Sequence, residues 1–586
     1  MRSLLNELHR QIFDQFKAQP AREDWARVPQ APLGDLAFPC FKLSKELKLP
    51  PPQVAQNFLT ASKVFFESSA RPHSWIERIE AKGPYLNLFV HLPTAWSELS
   101  KRLPQKFFPA PLLNENSMQT VVIDFSSPNV AKEMGLHHLR STALGHSLKR
   151  ITEASGHKAV GLNYLGDWGT SFGKLLLGLE KFGMESELEK QGLPYMLDLY
   201  VKFNQAEKSD PNLSEAAKSA FQKLEAGDAE YTRLWKLFRE ISIREFKKIY
   251  ERIGVEFDFF DGESFYTNKL EDVVNEIDTK IGTRTSEGAL VCDLPGSEIP
   301  VLLKKDDGAS LYITRDFAAI EDRWYRFHFD QAWYVVAVQQ KLHFEQLFGV
   351  VGLLKKEYAG RAEHVSFGML QFGSKTMKSR EGNILFLKDV LDEAESRALK
   401  IVSEKNSTLP EAEKIEIARK VGPGALLYAD LSQHRNHDVK FDWDKALSFE
   451  GDTAPFIQYT YARCGSLLEK VQAQHGNAKS PGSLSYAETQ SFCEQLKDVL
   501  SVREVIKEIL FFETYLEKAF EDKDPSQIAK SLIDLARAMN RLYHEVRFVD
   551  ETNSTRREGL VHLTHMVRST LKTGLWLLGI DTVERM

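Results

Sequence analysis

The chain has 586 residues, too many for one compact core, so three or four domains are expected. With 42% hydrophobic and 27% charged residues and no run of 18 apolar residues it offers no membrane span, and the charges in Met1–Leu8 come too early for a secretory signal, so a cytoplasmic protein is expected. A formal net charge of −6 excludes a global nucleic-acid-binding surface, and Cys40, Cys292, Cys464 and Cys493, far apart and without a CxxC, argue against a disulfide framework or a cysteine zinc site.

Along the chain, Leu4, Leu5, Leu8, Ile12 and Phe16 fall on one face of a predicted helix, and the alternating run Tyr85–Val90 after Gly83-Pro84 predicts a strand following a turn. These elements form a first α/β module ending near the proline-rich Phe107–Pro111. On the residues alone it could be purely structural. Next comes the stretch from Val121 to Gly173: an apolar strand Val121–Phe125, a polar turn Ser126–Asn129, a helix opening at His137-His138 and ended by Gly156, a second strand, and Gly166-Asp167-Trp168-Gly169-Thr170-Ser171. This is a βαβ unit, and the loop between its first strand and its helix is where such units hold phosphate-bearing ligands.

From Lys174 to about Lys280 charged amphipathic segments predict a helical insertion. Strand signals return at Tyr334–Val338 and Val365–Leu370, short runs of the kind buried in a parallel sheet. From Leu409 to Met586 the pattern is helical throughout, apart from an exposed loop at Ala473–Ser485. The expected fold is multidomain α/β plus all-α: an N-terminal α/β module (1–112), a Rossmann-type doubly wound parallel sheet (113–408) with its helical insertion (about 174–285), and a C-terminal helical bundle (409–586).

Three clusters carry chemistry. In the first, the N-terminus of the predicted helix presents unpaired N–H groups to a polyphosphate, Lys132 adds a mobile cation, and His138 offers a hydrogen-bond donor. A histidine at a helix start also serves as a cap or packing residue, and the residues leave both readings open. The histidines show no i,i+4 pair with a third ligand, so no metal site is expected. The second cluster, Met377-Lys378-Ser379-Arg380-Glu381-Gly382-Asn383, is a basic loop able to close over phosphates, although basic surface loops are common. The third is Tyr312-Ile313-Thr314-Arg315-Asp316, with Gln339-Gln340 after the Tyr334 strand. Tyr312 and Asp316 lie on one side of a helical turn, and a carboxylate is the natural partner of a guanidinium, though the same residues also make ordinary surface turns.

Taken together and in this order, these clusters resemble the class I aminoacyl-tRNA synthetases, and among them the arginyl-tRNA synthetases. The resemblance rests on Ser126–Lys132 with His138-Leu139-Arg140-Ser141-Thr142, on Gly166–Thr170, on Tyr312–Asp316, on Phe449–Pro455 and on the C-terminal Leu577–Ile580 and Glu584–Met586, and it extends to Gly34–Pro39 in the N-terminal module. It implies an arginine pocket in which Asp124, Asp316 and Tyr312 hold the guanidinium, Asn129 and Gln340 fix the α-ammonium, and Ser127 lines the wall. Lys132, His138 and the loop Met377, Lys378, Ser379, Arg380 would serve ATP, which would arrive with Mg²⁺. In the helical C-terminus, Phe456, Tyr459, Arg463 and Tyr543 would stack on and neutralise anticodon nucleotides of the tRNA partner. The same residues could instead belong to a hydrophobic core. A monomer is expected.

Two departures stand out. The family's His-x-Gly-His signature falls on Gly135-Leu136-His137-His138, so the first histidine is glycine and the glycine is histidine. The Lys-Met-Ser-Lys-Ser signature falls on Thr376-Met377-Lys378-Ser379-Arg380, and Lys132 occupies the place of the lysine thought to substitute for its second lysine; Ser171 stands where the family usually has Gln. The alternative to an active synthetase is a synthetase-like RNA-binding chain with weakened amino-acid activation.

Overall fold

The computed structural model describes residues 25–28, 33–68, 75–109, 117–304, 312–372, 385–476 and 484–586, without the side chains of 63–68, Tyr312 and Phe372. The helix expected over Leu4–Phe16 lies outside them. The N-terminal module is a four-stranded antiparallel sheet, β1 (Ala26–Arg27), β2 (Leu36–Pro39), β3 (Ile76–Lys82) and β4 (Tyr85–Val90), in the order β1-β2-β4-β3. Helices α1 (Phe41–Leu47), α2 (Pro51–Ser68) and α3 (Leu92–Arg102) accompany it. The predicted strand at Tyr85–Val90 is present, and the turn before it closes a hairpin with β3, whose charged sequence carries no strand signal.

The central sheet is fully parallel. Strands β5 (Thr120–Asp124), β6 (Lys158–Leu165), β7 (Phe259–Gly262), β11 (Gln331–Tyr334) and β12 (Ala362–His364) stand in the order β12-β11-β5-β6-β7. Chain order therefore runs outward from β5 in one direction and restarts at β11 in the other. Between β5 and β11 lies the topological switch point, where doubly wound sheets open a crevice at their C-terminal edge. Helix α4 (His137–Ala154) joins β5 to β6, and Gly156, at φ +87°, lets the chain leave it. The insertion comprises α5 (Thr170–Phe182), α6 (Glu185–Gln191), α7 (Leu193–Ser209), α8 (Asn212–Glu225) and α9 (Ala229–Arg252), the last capped by Asp228. After β7 come α10 (Leu270–Lys280), a three-stranded antiparallel sheet of β8 (Arg284–Ser286), β9 (Ala289–Cys292) and β10 (Val301–Lys304), and α11 (Tyr312–Phe327). Helix α12 (Lys341–Leu354) links β11 to β12.

Three sequence expectations are corrected. The run Tyr334–Val338 stays in the sheet only to Tyr334, because beyond it the chain diverges from β5 and Ala337 bridges Phe367 instead. The run Val365–Leu370 is not one strand. Gly368 N donates to Arg435 O at 3.0 Å, and β13 (Leu370–Phe372) pairs in parallel with β14 (Val439–Phe441). That strand also interrupts the C-terminal region, which is otherwise helical: α13 (Leu387–Lys405), α14 (Glu411–Leu431), α15 (Trp443–Ala446), α16 (Ala454–His475), α17 (Tyr486–Gln495), α18 (Leu500–Glu521), α19 (Ser526–Glu545) and α20 (Ser554–Leu577). Helix α16 runs three residues into the loop expected at Ala473–Ser485, and Ser485 forms a capping box with Glu488 at the start of α17. No helix of the described residues is long and apolar enough to cross a membrane.

Polar contacts, most of them buried, join the units. Arg140 of α4 pairs through Nε with Asp430 of α14 at 3.0 Å and donates to the carbonyls of Met369 and Arg435. The N-terminal module docks on the C-terminal helices through Arg503, which bridges Asp35 (2.9 Å) and Glu77 (3.1 Å), and through Trp96, whose Nε1 donates to His562 Nδ1 at 2.9 Å. Burial, with His565 nearby, pushes the His562 imidazole down to about 4, so it stays neutral and accepts the indole hydrogen. An unfolded His562 takes up a proton near its ordinary value of about 6.5. Proton uptake on unfolding means that its contribution to stability is full above that pH and declines as pH falls toward 4. Melting temperatures measured from pH 7.5 to 4.5 should therefore fall more steeply on acidification in the parent chain than in His562→Asn; parallel curves would contradict this assignment.

Candidate active site

The crevice at the switch point is floored by the end of β5. Past Asp124 the backbone enters the left-handed region at Ser126 (φ +74°), Ser127 (φ +49°) and Ala131 (φ +63°), positions where a side chain costs on the order of 1–3 kcal/mol. The surroundings hold this conformation. Ser126 Oγ meets Tyr250 OH and accepts from Thr142 Oγ1, both at 2.8 Å, while Ser141 Oγ accepts from Ser126 N and donates to Val335 O. Ser242 Oγ accepts from Ala131 N at 2.9 Å, so the insertion helix α9 supports the loop from outside.

The two motifs of the βαβ unit are locked together. Val130 N donates to Gly166 O at 3.0 Å and Gly166 N to Pro128 O at 3.1 Å, and a Cβ on Gly166 would collide with the Asn129 amide oxygen. Glycine at 166 thus answers to the side chain of Asn129 rather than to its own backbone angles. Asp167 is fully buried, held by Arg239 Nε at 2.9 Å and by the N–H and hydroxyl of Ser264, both at 2.9 Å. Trp235 donates to the carbonyl of Asp167 and packs edge-on against Trp168, fixing α9 to the sheet.

The acidic pocket is more crowded than the sequence suggests. Asp124 Oδ2 is paired at 2.7 Å with Arg323 of α11, with 7% and 1% of the two side chains exposed, and Ser127 Oγ donates to Oδ1 at 3.2 Å. Burial pushes the Asp124 carboxyl up while Arg323 pulls it back, and the Asp316 charge adds to the rise. The expected pair of open carboxylates is therefore corrected in one respect: Asp124 already has a cationic partner. Asp316, two helical turns before Arg323, accepts from His343 at 2.6 Å. Tyr312 opens the same helix four residues before Asp316. Tyr164 and Tyr334 flank Arg323, whose guanidinium carbon stands 5.3 and 5.1 Å from their ring centres, and the buried hydroxyl of Tyr164 has no hydrogen-bond partner among the described residues. Glu263 meets Arg315 at 3.3 Å and is pushed up to about 7 by burial, against the pull of Arg315 and with Asp316 and Asp167 reinforcing the rise. Arg323, His343, Glu263, Tyr164 and Tyr334 escaped the sequence reading. Only Arg323 had a legible signal, its seven-residue spacing from Asp316 on one helical face.

Asn129, Lys132 and Gln340 are exposed at the rim, the last at the start of α12. Met377, Lys378, Ser379 and Arg380 lie outside the described residues. The signature Gly135-Leu136-His137-His138 forms the entry to α4. Its loop is clamped by the chain that follows those residues: Leu136 N donates to Leu385 O and Leu387 N to Met134 O, each at 2.8 Å. His138 Nδ1 stands 3.1 Å from Gly135 N and 3.2 Å from Gly135 O, so this one ring nitrogen faces both backbone groups of Gly135. Burial, the neighbouring His137 and the Gly135 contact leave its pKa at about 4.

Of the residues expected to read nucleotides, Phe456, Tyr459 and Arg463 line one cavity of about 560 Å³ together with Asn540, His544 and the terminal Met586 among others, and Tyr543 is not among its lining residues. Arg463 is stacked between Tyr459 and Tyr543 at 4.6 and 4.8 Å, and donates to Tyr459 OH and Asn540 Oδ1. Tyr543 remains 38% exposed.

Three families match successive parts of the chain: the arginyl tRNA synthetase N terminal domain (3–90), the catalytic domain of tRNA synthetases class I (R) (108–443) and the DALR anticodon binding domain (457–586). The arginine–tRNA ligase of Exiguobacterium sibiricum is 37% identical, covering 99% of this chain and 97% of its own, and arginine–tRNA ligase 2 of Bacillus anthracis is 39% identical over 95% and 94%. The Thermus thermophilus arginyl-tRNA synthetase structure superposes on the fold with a TM-score of 0.80 over the whole of both chains, at 24% identity. Matched in all three of its parts and along nearly its full length, the chain belongs to the arginyl-tRNA synthetase family.

Proposed function

We propose that this protein joins L-arginine to tRNA(Arg) in two steps: arginine and ATP give arginyl-adenylate and pyrophosphate, and a ribose hydroxyl of the terminal adenosine then takes the arginyl group. The observation that carries this reading is the switch-point crevice, which sets an acidic pocket around Asp316 beside the helix entry that bears His138. In the pocket, Asp316, oriented by His343, meets the planar donor fork of the substrate, with Tyr312 adjacent. Asp124 and Arg323 form its charge-balanced floor, where Asp124 also holds Ser127. Asn129 and Gln340 take the α-ammonium. A lysine, whose ammonium is a point charge, leaves such a site partly unsatisfied.

At the other side, the positive end of α4 and the His138 imidazole face the triphosphate, with Lys132 as a mobile cation. The arginine carboxylate attacks the α-phosphate in line. Positioning and charge neutralisation drive the step without a protein nucleophile. Mg²⁺ enters with ATP on its phosphates. Met377, Lys378, Ser379 and Arg380 complete the phosphate contacts, and the domains divide at 1–112, 113–408 and 409–586. The cavity lined by Phe456, Tyr459 and Arg463, with Tyr543 stacked on Arg463 beside it, receives anticodon bases on aromatic faces next to a guanidinium. The protein acts as a cytoplasmic monomer.

Pyrophosphate exchange requiring arginine, ATP and tRNA(Arg) together is the direct test; folded protein that gives no exchange above background would instead support tRNA binding without activation. Replacing Asp316 by Asn removes one charge-assisted interaction, about 1.5–3 kcal/mol, so kcat/KM for arginine should fall roughly 10- to 150-fold with little change in the KM for ATP. For Tyr543→Ala, a lost base-stacking surface of about 1–3 kcal/mol should raise the KM for tRNA roughly 5- to 150-fold while tRNA-saturated turnover persists. An unchanged KM would place the anticodon elsewhere.

A further inference from the structure

Gly135 and His137 are the two positions of the first signature at which this chain departs from its family, and these departures meet in space. A Cβ built on Gly135 would stand 2.7 Å from both Cε1 and Nδ1 of His137. The next neighbour, Leu385 O, is 3.7 Å away. Gly135 does not adopt the left-handed backbone that favours glycine. Its missing side chain is therefore explained by room for an imidazole and not by conformation.

The backbone at this point is fixed on both sides. Gly135 bridges Phe386, its N–H donates to His138 Nδ1, and Leu136 bonds Leu385. With the loop so held, the His137 ring fills the volume into which a side chain at 135 would project. It stays exposed, its ring centre 4.0 Å from that of His138 and inclined by 39°. The two imidazoles thus stand together on the first turn of α4, where anionic phosphate oxygens are favoured.

Resting on the reading of the chain as an ATP-dependent arginyl enzyme, we propose that His137 supplies, from two residues later in the chain, the imidazole that the family's signature carries at position 135. Gly135 keeps the space that this ring occupies. The exchange of histidine and glycine is then one compensated change, and His137 acts on the triphosphate of ATP alongside His138. No bond is made or broken by either ring; each donates a hydrogen bond to phosphate oxygen.

Five proteins decide the matter: the parent chain, His137→Gly, Gly135→Ala, Gly135→His, and the double variant Gly135→His/His137→Gly, compared by pyrophosphate exchange at varied ATP and at varied arginine. A hydrogen bond to a charged group is worth about 1.5–3 kcal/mol, so His137→Gly should lose roughly 10- to 150-fold in kcat/KM for ATP with the KM for arginine unchanged. Gly135→Ala, which keeps both histidines but crowds the ring, should lose in the same parameter. The double variant should return to within about threefold of the parent, a coupling that independent sites do not show. Equal ATP kinetics in His137→Gly and the parent, or a double variant no better than the poorer single one, would overturn the proposal. Loss of arginine binding or of the melting transition would mark a misfolded variant, and Gly135→Ala, the smallest change, then carries the comparison with the parent. A parent chain without exchange would overturn the arginyl reading and this proposal together, whereas an active parent with indifferent variants overturns this one alone.

Discussion

The buried ion pair between Asp124 and Arg323 is the contact on which the site depends. It ties the last residue of β5 to α11, so one interaction spans the two halves of the sheet where their order reverses. Both groups are removed from water, and deleting one partner of such a pair costs on the order of 3–5 kcal/mol because the other is left charged and unsolvated. The pair also decides the charge of the pocket. With Asp124 matched by Arg323, and Glu263 by Arg315, Asp316 is the carboxylate of this group whose partner is an imidazole, His343, and not a guanidinium.

A second layer of fixation comes from outside the sheet. Helix α9 of the insertion reaches the first loop through Ser242 and Tyr250 and reaches Asp167 through Trp235 and Arg239. Arg140 does the same on the opposite side, linking α4 to α14 and to the carbonyls of Met369 and Arg435. The left-handed angles at Ser126, Ser127 and Ala131 persist because these partners over-determine them.

Much of this was legible in the sequence. The βαβ unit from Val121 to Gly173, the helical insertion and the helical C-terminus follow from hydrophobic period and turn residues, and the family resemblance named the residues around the crevice. What escaped has a physical pattern. Strand β3, Ile76–Lys82, is charged on its open face, and β13 and β14 are three residues each, too short for a period to show. The runs at Tyr334 and Val365 were read too long because an apolar sequence does not say where a strand loses its neighbour. Arg323, Glu263 and His343 are charged or polar residues that sequence logic assigns to the surface. Their burial arises from contacts between elements distant in the chain, which no local pattern encodes.

The contact between Asn129 and Gly166 bears on how freely that amide can turn. A side-chain amide at the rim of a crevice ordinarily samples several rotamers, and holding one of them for a ligand costs roughly 0.5–1.5 kcal/mol per side chain. Here the bare face of Gly166 leaves room for the Asn129 amide oxygen, and the two backbone hydrogen bonds fix the spacing of the loops that carry both residues. Any side chain at 166 would take that room, so the glycine keeps this rotamer of Asn129 open to the chain.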